Sequence, residues 1–427
     1  MSKGTYLILE PVNHVNAVLK RVHAAGYKVI VLSSFPKLLP SHYGDVSEYV
    51  YKWIQIKSWS QIDENLDLIN QEVDISELKG SYTGVEGALL FDSMIRQLAG
   101  LPNNPHAVIE SVINKETCRK ILREKKLSHI KTFQLDKREF PAENDFPVYF
   151  KPNKGGGSLH VQKCSTNDEL KLAYNVWQST TSFHLAPFVN EYLSTQNQAL
   201  AETEAKGKLV SVEGYTIHGK WHPIGINARI ISVHNPAVEL GFVFPVKSSI
   251  EEKIYRYIAD IHQSLGINWG PTHTEIMIDG DELEFIELNL RFAGYDCFEI
   301  INQASDTDLG DLLTNLGAGI SCHFETKFDA VSIARYYLPP FDRSTYNQVS
   351  IPEHPNIKLR YVTWNPQKSY SVPPSPCDFV ACLVVKSHTL DESIRLINEL
   401  DNAVVVDGQS IGQDKYNIKD WDNFYRG

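Results

Sequence analysis

Two apolar–polar alternating runs lie close together in the last third of the chain. One is Gly270-Pro271-Thr272-His273-Thr274-Glu275-Ile276-Met277; the other is Phe285-Ile286-Glu287-Leu288-Asn289-Leu290-Arg291. Asp279-Gly280-Asp281 between them is turn-forming, so the segment predicts an antiparallel hairpin. Side chains of a strand alternate between its faces, which sets Glu287, Asn289 and Arg291 against Ile286, Leu288 and Leu290. Glu275, on the partner strand, can reach the polar face. Two carboxylates and an amide oxygen form a hard, all-oxygen ligand set suited to Mg²⁺, with Mn²⁺ as an alternate. The guanidinium of Arg291 suits a phosphate or a developing oxyanion. Taken alone, the same residues also fit a solvated hairpin face, and the rest of the chain has to decide.

The chain has 427 residues, enough for roughly two to four domains. Apolar residues make up 42% and charged residues 22%, ordinary for a globular protein. A net charge of -11 argues against nucleic acid or an anionic membrane as the main partner. No apolar run reaches membrane-spanning length, and Met1-Ser2-Lys3-Gly4 leads directly into the strand-like Tyr6-Leu7-Ile8-Leu9 without a signal pattern. Cys118, Cys164, Cys297, Cys322, Cys377 and Cys382 contain no C-x-x-C pair. Isolated thiols fit packing roles in a reducing, cytoplasmic setting.

The periodicities divide the chain into four units: 1–113, 114–190, 191–330 and 331–427. The first opens with a strand, a helix carrying Val15, Val18, Leu19 and Val22, and the strand Val29-Ile30-Val31-Leu32, a Rossmann-like β-α-β unit. Its first turn lacks G-x-G-x-x-G, so no dinucleotide is placed there. The second unit reads as a helix over 115–126, then the strand Val148-Tyr149-Phe150-Lys151-Pro152 and the loop Asn153-Lys154-Gly155-Gly156-Gly157-Ser158. A helix follows, with Thr166 and Glu169 spaced as a capping box. Pro187-Phe188-Val189-Asn190-Glu191-Tyr192-Leu193 reads as a strand leaving that unit. In the third, strands around Val212 and Trp221 turn at His218-Gly219, and a helix over 250–265 is expected to be capped by Ser249 and Glu252 and ended by Gly266. The fourth is strand-rich and carries no chemical motif. The fold class is therefore multi-domain α/β and α+β.

Several residues outside the hairpin carry candidate chemistry. Glycines without Cβ atoms let backbone N–H groups approach phosphate oxygens, and Lys151 stands just before the loop; a functionless glycine turn is the alternative. The loop is not a P-loop, since no G-K-[ST] follows. Lys115, at a helix start, is either a surface lysine or a phosphate ligand. Glu86 and Glu213 stand next to glycines, as expected of carboxylates at strand ends, where they would accept an ammonium or simply face solvent. His273 is a packed histidine or a base.

The order Lys115, Phe150-Lys151-Pro152 with its glycine loop, Asn190-Glu191-Tyr192-Leu193, H-T-E and E-x-N-x-R resembles the ATP-grasp superfamily over nearly the whole chain. Val210-Ser211-Val212-Glu213-Gly214, Thr272-His273-Thr274-Glu275-Ile276 and Arg291-Phe292-Ala293-Gly294-Tyr295 look most like the L-amino-acid ligases, the bacilysin-synthetase type (alanine–anticapsin ligase) among them. The resemblance implies the ATP-grasp fold behind a Rossmann-like domain. It implies ATP held by Lys115, Lys151, Gly156, Gly157 and Ser158, with Glu191, Tyr192 and Leu193 at adenine. Glu275 and Glu287 would hold Mg²⁺, with Asn289 on a second ion, and Glu275, Glu287 and Arg291 would be catalytic. Glu86, Glu213, His273, Arg291, Gly294 and Tyr295 would meet the amino-acid substrates. The implied activity is ATP-dependent joining of two amino acids through an acyl phosphate. Other ATP-grasp carboxylate ligases (carboxylating or purine-pathway) and a non-catalytic ATP-binding module are the alternatives, and a homodimer is left open. Departures are Leu159-His160 before Val161, Leu290 between Asn289 and Arg291, and a long stretch over 194–208 that leaves the ribose-binding carboxylate open between Glu202 and Glu204.

Overall fold

Apolar residues on both faces of a strand call for a sheet covered on both sides, and the first unit is built that way. A computed structural model describes residues 3–37, 42–155, 160–179, 198–232, 238–324, 327–340, 342–365, 367–370 and 378–411. Strands β1 (Thr5–Leu9), β2 (Lys28–Ser33), β3 (Lys52–Gln55) and β4 (Leu78–Thr83) form a parallel sheet ordered β3-β2-β1-β4. Tyr6 and Ile8 pack with Val15, Val18, Leu19 and Val22 of α1 (Val15–Ala24). Leu7 and Leu9 face the opposite side, with Ile69 of α2 (Ile62–Glu72) and with Phe91 and Ile95 of α3 (Leu89–Leu98). Helix α4 (His106–Ile113) leads into the next unit.

There α5 (Lys115–Glu124) begins at Asn114, whose side chain accepts from the Thr117 N–H at 2.9 Å. Strands β5 (Thr132–Gln134), β6 (Val148–Pro152), β7 (Gln162–Cys164) and β8 (Ala199–Thr203) form an antiparallel sheet ordered β5-β8-β6-β7, packed under α6 (Asn167–Ser179). Strand β8 pairs with β5 and β6, so by sheet membership it goes with this unit and not with the segment beginning at 191. The strand expected over 187–193 lies outside the described residues.

Beside a small sheet of three short strands, most of the remaining described strands form one large antiparallel sheet. In sequence it comprises β9 (Lys208–Ile217), β10 (Lys220–Ile231), β11 (Glu239–Phe244), β12 (Gly270–Asp279), β13 (Glu282–Asn289) and β14 (Val331–Tyr337), then, after the short β15 (Val349–Ser350), β16 (Ile357–Val362) and β17 (Ala381–Ser387). The order is β13-β12-β9-β10-β11-β14-β17-β16, so strands beyond residue 330 continue the sheet that holds the acidic hairpin. Helix α7 (Glu251–Leu265) buries Ile254, Ile258, Ile261 and Leu265 along one stripe and ends at Gly266 in the left-handed region, φ 73°. The Ser249–Glu252 cap does not form. The helix starts at Ile250 without a side-chain cap, and Ser248 accepts from the Ile250 N–H instead. Helices α8 (Cys297–Ala304) and α9 (Leu309–Gly317) pack into the core shared with β1 and α1. A further helix, α10 (Leu390–Asp401), lies over β14 and β17 in the part of the chain expected to be strand-rich. No helix among the described residues is long and apolar enough to cross a membrane.

Candidate active site

The hairpin forms as its alternation requires. Asp279 pairs with Glu282 across the Gly280-Asp281 turn, Glu275 stands directly opposite Glu287, and His273 stands opposite Asn289. Like charges directly across an antiparallel pair repel, so each carboxylate needs its own compensation. Glu287 receives it from Lys115 at the start of α5, with Nζ 3.1 Å from Oε1. Lys115 also donates to the Gly155 carbonyl of the glycine loop at 2.8 Å. Burial disfavours the Lys115 charge, but Glu287 and Glu86 outweigh it and raise its pKa, which places Glu86 in the same field.

Glu275 is compensated differently. Its Oε1 accepts from Arg229 of β10 and from His273 Nε2 at 3.2 Å. Arg229 also pairs with Glu239 of β11, and His273 Nδ1 lies 2.6 Å from Glu213 Oε1. Burial opposes ionisation of Glu275, yet Arg229 and His273 bring its pKa down to about 2. Burial likewise opposes charge on His273, but Glu213 and Glu275 lift it to about 9. His273 is thus a charged bridge between two carboxylates and not a free base near neutrality.

Glu213 departs from expectation. It lies mid-strand in β9, fully buried, and its Oε1 accepts from His273 and from Asn227 at 3.1 Å. The adjacent Gly214 marks something other than a strand end: a Cβ there would lie 2.5 Å from the Trp221 indole nitrogen, so the glycine admits that ring. Glu202 departs too. Both of its oxygens are engaged, Oε1 by Arg119 Nε and Oε2 by Arg119 Nη2, each at 3.0 Å, and Lys151 pairs with Oε2. Burial is outweighed by Arg119 and Lys151, which hold Glu202 down at about 2. Both oxygens of this ribose-ligand candidate are therefore engaged within the chain. Lys151 is almost wholly buried and its pKa is lowered, chiefly by burial against the opposing pull of Glu202.

Arg119 was not anticipated, although it follows Lys115 by four residues and so shares its helix face. Besides Glu202 it reaches the Phe285 and Ile286 carbonyls of β13. Arg229 and Asn227 were missed as well; their alternation within the apolar run of β10 was the available signal.

Just beyond β13, Arg291 donates to the Phe292 carbonyl at 3.0 Å, and its charge acts on His14 and Tyr82 of the first unit. His14 lies against Tyr82 (Nε2 to Oη, 2.8 Å) and Phe292, and stacks on Phe298 at 5.7 Å. Burial, and secondarily Arg291, lowers His14 to about 3. Gly294 has open space where a Cβ would be. Tyr295 sits at φ 53° and packs among Phe242, Tyr336 and Phe379. Gly156, Gly157, Ser158, Glu191, Tyr192 and Leu193 lie outside the described residues.

The donor set fits a hard divalent cation. Glu287 and Asn289 share the hairpin face with Glu275, and the buried Asn289 Oδ1 has no hydrogen-bond partner. An orphaned amide oxygen beside carboxylates is what an oxygen-seeking ion would use. Among the described residues no three His, Cys, Asp or Glu side chains are arranged as a self-sufficient metal cage. That suits Mg²⁺, which takes few protein oxygens and completes its shell with water and phosphate.

Residues 144–299 match the family model described as the ATP-grasp domain. The chain carries an ATP-grasp domain. The L-amino acid ligase of Bacillus licheniformis superposes with a TM-score of 0.77 at 20% identity, over 96% of this chain and 100% of that one. Phosphoribosylglycinamide synthetase of Anaerococcus prevotii gives 0.68 at 13% identity, covering 94% and 99% of the two chains. Biotin carboxylase of Campylobacter jejuni gives 0.66 at 13%, covering 96% and 94%. The whole chain therefore has the ATP-grasp fold preceded by a parallel-sheet domain. An uncharacterized protein of Sinorhizobium fredii is 24% identical over 208 residues, a match spanning 47% of this chain and 40% of that protein's length.

Proposed function

We propose that the protein is an ATP-dependent ligase that joins the carboxylate of one L-amino acid to the amine of another. The observation that carries this reading is the hairpin face, where Glu275, Glu287 and Asn289 converge beside Lys115. Support comes from the fold similarity to an L-amino acid ligase over 96% of this chain and 100% of that one.

A carboxylate does not accept an amine directly, because oxide is too poor a leaving group. Transfer of the γ-phosphoryl group of ATP to the first substrate's carboxylate oxygen would give an acyl phosphate and ADP. The free amine of the second substrate would then attack the acyl carbon, and phosphate would leave with the bonding electron pair as the amine nitrogen loses its proton. The chain's part is positioning and charge neutralisation. Lys115 and Lys151, on adjoining elements, would bind the phosphates, exchanging their present carboxylate partners for phosphate oxygens. Glu275, Glu287 and Asn289 would hold Mg²⁺, which would supply charge neutralisation for the transferred phosphoryl group. Arg291 would stabilise the oxyanion of the tetrahedral intermediate against the wall formed by His14 and Tyr82.

The test is phosphate release with Mg·ATP across pairs of amino acids, followed by mass identification of the product. Pair-dependent release with a dipeptide product is expected. Release that depends on bicarbonate and not on a second amino acid would replace the reading with a carboxylase, and ATP binding without release under any pairing would replace it with a binding module.

A further inference from the structure

We propose that Asp296, with His42 and Tyr43 beside it, docks an ammonium group of a substrate. The proposal deepens the ligase reading and rests on it for calling the ligand a substrate.

Asp296 follows Tyr295 directly and is completely buried. Its Oδ2 accepts from the Tyr361 hydroxyl at 2.6 Å and from the Cys382 thiol at 3.2 Å, and its backbone N–H donates to the Tyr336 oxygen at 2.9 Å. Its Oδ1 has no hydrogen bond. That oxygen lies 3.5 Å from His42 Nε2, an ion pair only when the imidazole is protonated; neither atom makes a hydrogen bond, nor does the Tyr43 hydroxyl. Three buried polar atoms from two distant segments are thus left unmatched at one corner. A buried polar atom without a partner is costly, and groups of them call for an explanation.

A carboxylate elsewhere in the chain shows what a purely structural solution looks like. Glu10, equally buried, accepts from Ser33 Oγ through Oε1, and from the Ser34 N–H, Ser34 Oγ and Trp59 Nε1 through Oε2. Both of its oxygens are used. Asp296 has neutral donors on one oxygen only, and burial lowers the pKa of His42, so the imidazole facing Oδ1 is not a ready counter-cation. What the corner lacks is a positively charged donor.

The surroundings suit an ammonium in particular. His42 stacks on Tyr361 with centroids 4.5 Å apart and 9° between planes, and lies 4.1 Å from Tyr43. Ring faces attract cations, while a neutral imidazole nitrogen and a phenol oxygen can each accept an N–H. The corner is also continuous with the proposed reaction site. From His14, beside Arg291, the aromatic wall runs to Phe298 at 5.7 Å, to Tyr43 at 6.4 Å, then to His42 and Tyr361. In this proposal a substrate with its reacting group at Arg291 extends its stem toward Asp296 by parting the packed rings of that wall. Either the α-ammonium or a side-chain ammonium could be the group docked.

Four probes sharing one carbon skeleton separate these sources: L-lysine, L-norleucine, 6-aminohexanoate and hexanoate. Their binding to the full-length wild type and to Asp296→Asn is measured by calorimetry. At least one ammonium-bearing probe should bind ten-fold or more tighter than hexanoate, and Asp296→Asn should erase that preference. A preference carried by norleucine identifies the α-ammonium; one carried by 6-aminohexanoate identifies the side-chain group. His42→Leu, at the half-buried edge of the corner, should reduce the preference at least three-fold and serves if Asp296→Asn does not fold. Equal binding of all four probes, no binding of any, or a preference unchanged in the variants overturns the proposal. Binding is read without turnover, so a preference lost in the variants alongside no amino-acid-dependent phosphate release would sink the ligase reading and leave the docking site standing.

Discussion

The hairpin half of the site and the Asp296 corner both hold carboxylates away from solvent, but they neutralise them by different means. In the first half each carboxylate meets a formal cation: Glu202 has Arg119 and Lys151, Glu287 has Lys115, and Glu275 has Arg229 and His273. At the corner Asp296 has a phenol, a thiol and an imidazole that burial keeps from charging. The first half is balanced by cations of its own chain. A half left with a single uncompensated oxygen calls for a single positive donor.

Breaking the charge balance should produce the largest effect. Arg229→Met leaves the half-buried Glu239 without its cation and Glu275 with His273 alone, and should cost about 3–5 kcal/mol in a denaturant unfolding experiment. An unfolding free energy within error of wild type would show the network to be dispensable. Next comes Glu287→Gln, which keeps the shape and removes a charge. Phosphate release should fall by about 10²–10³-fold or more, with thermal stability little changed; wild-type turnover would remove Glu287 from the metal wall.

Acid should act on the same half through Glu202. Its folded pKa, about 2, lies below its ordinary value of 4.5, so its contribution is present in full above 4.5 and is lost as pH falls through about 2. The contribution is on the order of 3 kcal/mol, and the unfolding free energy of Glu202→Gln should decline less steeply than that of wild type between pH 6 and pH 3. Parallel acid limbs would contradict this. The smallest effect belongs to the corner: Tyr361→Phe deletes one neutral donor to Asp296 and should destabilise by about 1.5–3 kcal/mol. A loss as large as that of Arg229→Met would erase the distinction between the two halves.

The two halves also differ in how far sequence reveals them. The Glu275–Glu287 pairing and the start of α5 at Lys115 depend on alternation and spacing within one short segment, and both were legible. Arg229 was hidden because it compensates Glu275 from another strand, and Glu213 was misplaced because the neighbouring glycine serves the Trp221 ring. The corner draws on residues 42, 296, 361 and 382, whose proximity is created only when α8 packs against β14 and β17. No local pattern encodes such a meeting, and the unmatched oxygen of Asp296 is visible only in three dimensions.

Arg119 couples the small antiparallel sheet to the large one. One planar fork grips Glu202, the partner of Lys151 on the small sheet, and the backbone carbonyls of β13 on the large one. It therefore works as a spacer of fixed reach between β13 and the Glu202–Lys151 pair. An ammonium on a flexible stem would keep the charge but lose that fixed reach, so the two walls would still attract each other while no longer agreeing on their separation.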